Sequence, residues 1–103
     1  MNKGPKVFKG EKYIYLLMGY FLAKQNKGRI KIGDDNGMKG SQNFERIFTI
    51  SEHEGSILLT ERKTSVNFAD FSRTFEVYGD MPTPTIKEYV DEAGDNHSKN
   101  WVH

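Results

Sequence analysis

Lys12-Tyr13-Ile14-Tyr15-Leu16-Leu17-Met18-Gly19-Tyr20-Phe21-Leu22-Ala23 is the densest apolar stretch of the chain. Its length suits either a buried strand or a buried helix, and periodicity alone does not separate the two. Four aromatic rings and the flanking Lys and Gly residues favour a strand. The stretch is shorter than the roughly 18 apolar residues a membrane span requires, so no membrane partner is expected. With lysines ahead of it, the stretch also has the outline of a signal-peptide core. A cut after Ala23 would, however, place Phe21 at the −3 position, which calls for a small residue.

Read as a strand, this stretch finds its partner just downstream. Gln25–Gly28 has turn composition, and Arg29-Ile30-Lys31-Ile32 alternates polar with apolar residues. The two would form a first hairpin. Further strand zones are Asn43–Glu52, Ser56–Glu61, Thr64–Phe68 and Phe71–Tyr78. Turns are expected at Asp35-Asn36-Gly37 and Glu54-Gly55. The alternation changes phase at Ala69-Asp70, where a bulge or corner would account for it. After a loop over Gly79–Pro84, Thr85-Ile86-Lys87-Glu88 has the spacing of a capping box and Gly94 could end a helix. One short C-terminal helix is therefore expected at about residues 84–93. The class is mainly β: a small antiparallel barrel or curved sheet of five to six strands with that helix. The domain plan is a flexible basic arm over 1–11, one β-rich domain over 12–94 and a tail over 95–103.

The 103 residues are enough for one modest core. A hydrophobic share of 36% and a charged share of 28% describe a polar chain that can still fold. The absence of cysteine rules out disulfides, thiolate zinc sites and thiol catalysis. It also favours a reducing, cytoplasmic setting.

The net charge of +1 hides a division of the chain. Residues 1–31 carry Lys3, Lys6, Lys9, Lys12, Lys24, Lys27, Arg29 and Lys31 against Glu11 alone. Everything after residue 31 is net acidic. Such asymmetry suits an anionic partner, or pairing of the basic part with the acidic remainder. Lys3, Lys6, Lys9 and Lys12 would follow phosphates along the arm, and Lys24, Lys27, Arg29 and Lys31 would gather at the first hairpin turn.

Two segments echo each other. Phe44-Glu45-Arg46-Ile47-Phe48-Thr49-Ile50 and Phe71-Ser72-Arg73-Thr74-Phe75-Glu76-Val77 share the order F-x-R-x-F-x-aliphatic. In strands, each would place two rings, an arginine and an aliphatic on one face. If covered, that face is core, with arginine stems buried and heads reaching water or a carboxylate. If open, rings and guanidinium planes would stack on single-stranded bases.

Catalytic signatures are weak. His53 lies between Glu52 and Glu54, and with Arg46 or Arg73 it could serve a metal-free nuclease. Neighbours on a strand face opposite ways, however, and a surface turn explains this histidine better. Asp34-Asp35-Asn36-Gly37 lacks the ligand spacing of a calcium loop, and Asp95, His97 and His103 lack that of a metal site. No metal or other cofactor is expected. The sequence thus points to a non-enzymatic binding protein for nucleic acid or another polyanion, with Arg46 and Arg73 joining the basic residues of the first part. The alternative is a protein–protein module: a small inhibitor, adaptor or immunity-type factor of the kind phages and mobile elements carry. A small metal-free nuclease is a distant third.

Overall fold

A computed structural model describes residues 6–34, 44–65, 68–90 and 99–101. The described residues form one helix, α1 (Gly10–Gln25), and six strands: β1 (Arg29–Asp34), β2 (Phe44–His53), β3 (Ser56–Ser65), β4 (Phe68–Tyr78), β5 (Thr85–Glu88) and β6 (Lys99–Trp101).

The stretch from Lys12 to Ala23 is therefore helix, not strand, and no first hairpin forms. Its buried residues are Leu16, Gly19, Tyr20 and Ala23, which is helical spacing. That period is hidden in the sequence because the outward side is apolar too: Ile14, Met18 and Leu22 are exposed. Only Ile14 is β-branched, and Leu, Met, Lys and Ala are good helix formers. The ring content was the misleading feature, since tyrosine suits either element when tertiary packing decides.

The expected turn at 25–28 is present and leads from α1 into β1. Lys27 and Gly28 both have positive φ, and Gly28 N–H bonds the Ala23 carbonyl. From β1 the chain runs as an antiparallel meander in the order β1-β2-β3-β4-β5. Glu54 and Gly55, both at positive φ, make the tight turn from β2 to β3. The β3–β4 register slips between the pairs Lys63↔Phe71 and Ser65↔Phe68, so the extra β4 residue falls at Ala69-Asp70. β6 pairs with Asp70–Ser72 on β4, and β5 pairs with Phe75–Tyr78 of the same strand.

The C-terminal helix is also a correction, because residues 85–88 are strand β5. Val77 pairs with Ile86 and Tyr78 with Thr85, so the free edge of β4 claims the segment. Thr85 and Ile86 are β-branched, and Ile86 is fully buried. The capping-box spacing had no helix to cap. Residues 91–94 lie outside the described residues, as do the expected turn at 35–37 and Asp95, His97 and His103. The sheet is open and curved and does not close into a barrel, with α1 packed on one face.

The stretch read as a basic arm is tied down from Lys6 onward. Phe8 N–H donates to the Ile86 carbonyl at 3.0 Å and Glu88 N–H to the Lys6 carbonyl at 2.8 Å. Residues 6–8 thus lie antiparallel along β5, with Phe8 buried. The core joins Phe8, Leu16, Tyr20 and Ala23 to Phe48, Leu59, Phe75, Val77 and Ile86. Gly19 lets α1 approach closely: a Cβ there would stand 2.5 Å from Cε1 of Phe48. No helix among the described residues is long and apolar enough to cross a membrane.

Candidate functional site

Strand register decides which side chains meet beneath α1. Residues directly opposite each other in an antiparallel pair share a face. Phe48 lies opposite Glu61, and Glu61 opposite Arg73. One row along, Arg46 lies opposite Lys63, and Lys63 opposite Phe71. The two echoing segments therefore lie in β2 and β4, and the described side chains of their shared pattern face the helix. Phe48 and Phe75 are fully buried and Phe71 half-buried. The side chain of Phe44 lies outside the described part. Burial removes the open stacking platform and leaves the core reading for the rings.

The arginines do something less ordinary. Glu61 is 1% exposed, the one fully buried charged side chain among the described residues. Tyr15 on α1 donates its hydroxyl hydrogen bond to Glu61 Oε2. Lys12 Nζ lies 3.8 Å from Glu61 Oε1 and Lys63 Nζ 3.9 Å from Oε2. The Tyr15 ring is itself surrounded by cations: Lys12 Nζ at 5.0 Å from its centroid, Arg46 Cζ at 5.6 Å and Lys63 Nζ at 6.0 Å. Arg73 sits among Phe8, Phe71 and Phe75, its Cζ 5.7, 5.9 and 5.4 Å from their centroids. Lys6 extends the group, its Nζ 5.3 Å from the Phe8 centroid.

Lys12 and Lys63 are thus held beside one carboxylate, and Arg46 and Arg73 against the neighbouring rings, at the end where α1 begins. The first free N–H groups of a helix add positive potential there. Lys12 and Lys63 reach solvent, with side chains 35% and 36% exposed. Arg46 and Arg73 are half-buried as well. Burial lowers the Lys12 pKa below its ordinary 10.5, and Lys63 and Arg73 push the same way against the attraction of Glu61.

Of the other basic residues singled out in the sequence, Lys24, Lys27, Arg29 and Lys31 are exposed around the α1–β1 junction, at the opposite end of the helix. Lys31 pairs with Glu45 across the β1–β2 ladder. Lys9 is exposed at the helix start, and Lys3 lies outside the described residues. The structure therefore brings together Lys6, Lys12, Arg46 and Arg73 and leaves the others apart. It adds Tyr15, Glu61 and Lys63, which carried no motif. β3 has no apolar-polar alternation, its apolar residues being consecutive over Ile57–Leu59, so nothing in its sequence marked Glu61 as buried.

His53 is exposed at the β2–β3 turn, 3.9 Å from Glu54. It borders a shallow pocket lined by Ser51, Leu58, Thr60, Thr74 and Tyr89 on the sheet face away from α1. Both arginines lie on the helix-covered face, so the set imagined for a nuclease is not assembled.

No protein-family model matches the chain, and no solved structure matches it. It is similar to the S-adenosylmethionine:tRNA ribosyltransferase-isomerase of Helicobacter pylori, with 30% identity over 73 residues. The match takes in 71% of this chain and 21% of that protein, so the chain spans about a fifth of the relative's length.

Proposed function

We propose that the chain is a non-enzymatic binding protein for a polyanion, with nucleic acid as the first candidate. Its contact site is the cationic cluster at the start of α1 rather than a free arm and a hairpin. The carrying observation is the pair Lys12 and Lys63 beside a single buried carboxylate, with Arg73 opposite it in the strand register. Crowded, partly desolvated cations repel one another, and a phosphate at the rim would offset that repulsion and favour charged Lys12. Lys6 and Lys9 widen the approach. The rings are taken up by the core, so contacts to phosphate rather than base stacking would supply the affinity. The relative's name includes tRNA, which suits a nucleic-acid ligand. Its ribosyl transfer belongs to a protein of which this chain matches a fifth.

Fluorescence anisotropy with single- and double-stranded oligonucleotides across a salt series tests this reading. Affinity should fall steeply as salt rises. Lys63→Gln and Arg73→Gln should each flatten the salt slope by about one unit. No binding at low salt ends the proposal.

A second reading, a protein–protein module such as a small inhibitor or adaptor, is favoured by one observation: Ile14, Met18 and Leu22 are exposed in a line along α1. Retention of a protein partner in nuclease-treated lysate, lost in Met18→Lys, would support it.

A further inference from the structure

Arg73 keeps its hydrogen-bond donors open. Among the described residues its contacts are rings, with Cζ 5.7, 5.9 and 5.4 Å from the centroids of Phe8, Phe71 and Phe75. Rings steady a guanidinium but take up none of its N–H donors in ordinary hydrogen bonds. Lys12 and Lys63 keep donors too, since they stand 3.8 and 3.9 Å from the Glu61 oxygens, outside hydrogen-bond range. The three cations are neighbours. Arg73 lies directly opposite Glu61 in the β3–β4 ladder, which sets their Cβ atoms about 5 Å apart. The Lys12 pKa is lowered first by burial and then, against the pull of Glu61, by the charges of Lys63 and Arg73.

Building on the polyanion reading, we infer that this site takes a terminal phosphate monoester, the phosphorylated end of a nucleic-acid strand, and that Arg73 selects it by a bidentate contact. Charge favours the monoester. Lys12, Lys63 and Arg73 alone exceed Glu61 by two charges. An internal diester carries about one negative charge and a terminal monoester about 1.5–2 at neutral pH. Geometry favours arginine as the selector, because its planar fork meets two phosphate oxygens at once. The surroundings favour a strand end. Along the outer side of α1, Ile14, Met18 and Leu22 are exposed between this cluster and the lysines at the far end of the helix. A phosphate backbone laid along α1 would cross that apolar surface without a partner. A strand end needs the one site only.

Anisotropy with three forms of one internally labelled single strand tests this: a 5′ phosphate, a 3′ phosphate, or hydroxyls at both ends. At least one phosphorylated form should bind about tenfold more tightly than the hydroxyl form, the worth of one charge-assisted contact. Arg73→Lys keeps the charge and loses the fork. The preference should then fall to about twofold or less, while the hydroxyl form binds near the wild-type level. The unmodified chain gives a reading that no folding defect can disturb. Its Arg73 Nε–H resonance should shift with the phosphorylated strand and stay in place with the hydroxyl strand. Equal affinity for all three forms, or an unmoved Arg73 resonance, overturns the monoester site and leaves the polyanion reading in place. Absence of binding by every form at low salt ends both. Tighter binding of a phosphoserine peptide than of either phosphorylated strand would overturn the assignment to nucleic acid.

Discussion

Tyr15 on α1 donates a hydrogen bond to Glu61 on β3, so the helix is fastened to the sheet by a buried polar contact as well as by apolar packing. A charged group with no exposure to water depends on such contacts. Tyr15→Phe removes the donor and leaves the carboxylate in place. The expected loss is about 1.5–3 kcal/mol, as for hydrogen bonds to charged groups. Tyr13→Phe is the control. Its hydroxyl donates at 2.7 Å to the neutral Pro84 carbonyl, and its loss should cost about 0.5–1.5 kcal/mol. Urea midpoints of the two variants decide the order, and equal losses would contradict a special role for Glu61.

Gly19→Ala should destabilise the protein, although alanine is the better helix former by about 1 kcal/mol. The added Cβ would stand 2.5–2.6 Å from three ring atoms of Phe48, whose side chain is fully buried. Overpacking of this kind costs about 1–3 kcal/mol, which outweighs the propensity gain. Combining Gly19→Ala with Phe48→Leu should cost less than the sum of the two single losses. Strict additivity would show that the two sites do not meet.

Lys12 makes stability depend on pH in a defined direction. Burial lowers its pKa in the folded state, so the native protein holds that proton less tightly than the unfolded chain does. The associated stability is complete above the ordinary value of 10.5 and is lost as pH falls through the folded value beneath it. Unfolding free energies of the wild type and Lys12→Met, compared at successive pH values, should move in favour of the wild type as pH approaches 10.5. A constant difference would remove the effect.

Phe8 distinguishes an anchored segment from a free arm. It is 4% exposed and packs edge-on against Phe75 with centroids 5.2 Å apart. Phe8→Ala should therefore cost about 3–5 kcal/mol, as for other buried aromatic truncations. A loss below about 0.5 kcal/mol, typical of surface substitutions, would detach residues 6–8 from the sheet.

Alternation and turn chemistry made much of the sheet legible. β2 and β4 follow their period-two patterns, and Glu54-Gly55 and Ala69-Asp70 mark the turn and the register slip. β3 does not alternate, and the two expected segments Ser56–Glu61 and Thr64–Phe68 are replaced by one strand, Ser56–Ser65, with Phe68 in β4. Both elements assigned to the wrong class failed for one reason, tertiary context. The stretch 12–23 has apolar residues on every side, so its helical period could not show. The segment 85–88 has a helix-start pattern, yet an unoccupied edge of β4 captured it. For the candidate site, the echo set Arg46 and Arg73 on one face with the rings and left open whether that face is covered, which α1 decides. The convergence on Glu61 depends on β3 lying between β2 and β4 and on a helix above all three. Neither relationship exists in the linear order of residues.

That helix precedes every strand that covers it. Synthesis runs from the amino terminus, so α1 leaves the ribosome before Phe48, Leu59, Phe75 and Ile86 have been made. The densest apolar stretch of the chain is therefore made before the strands that it packs against. Its nascent form exposes rings and aliphatics on all sides, with nothing yet synthesised to choose helix over strand. A chaperone that holds apolar segments should engage the nascent chain at α1 and let go once the sheet is complete.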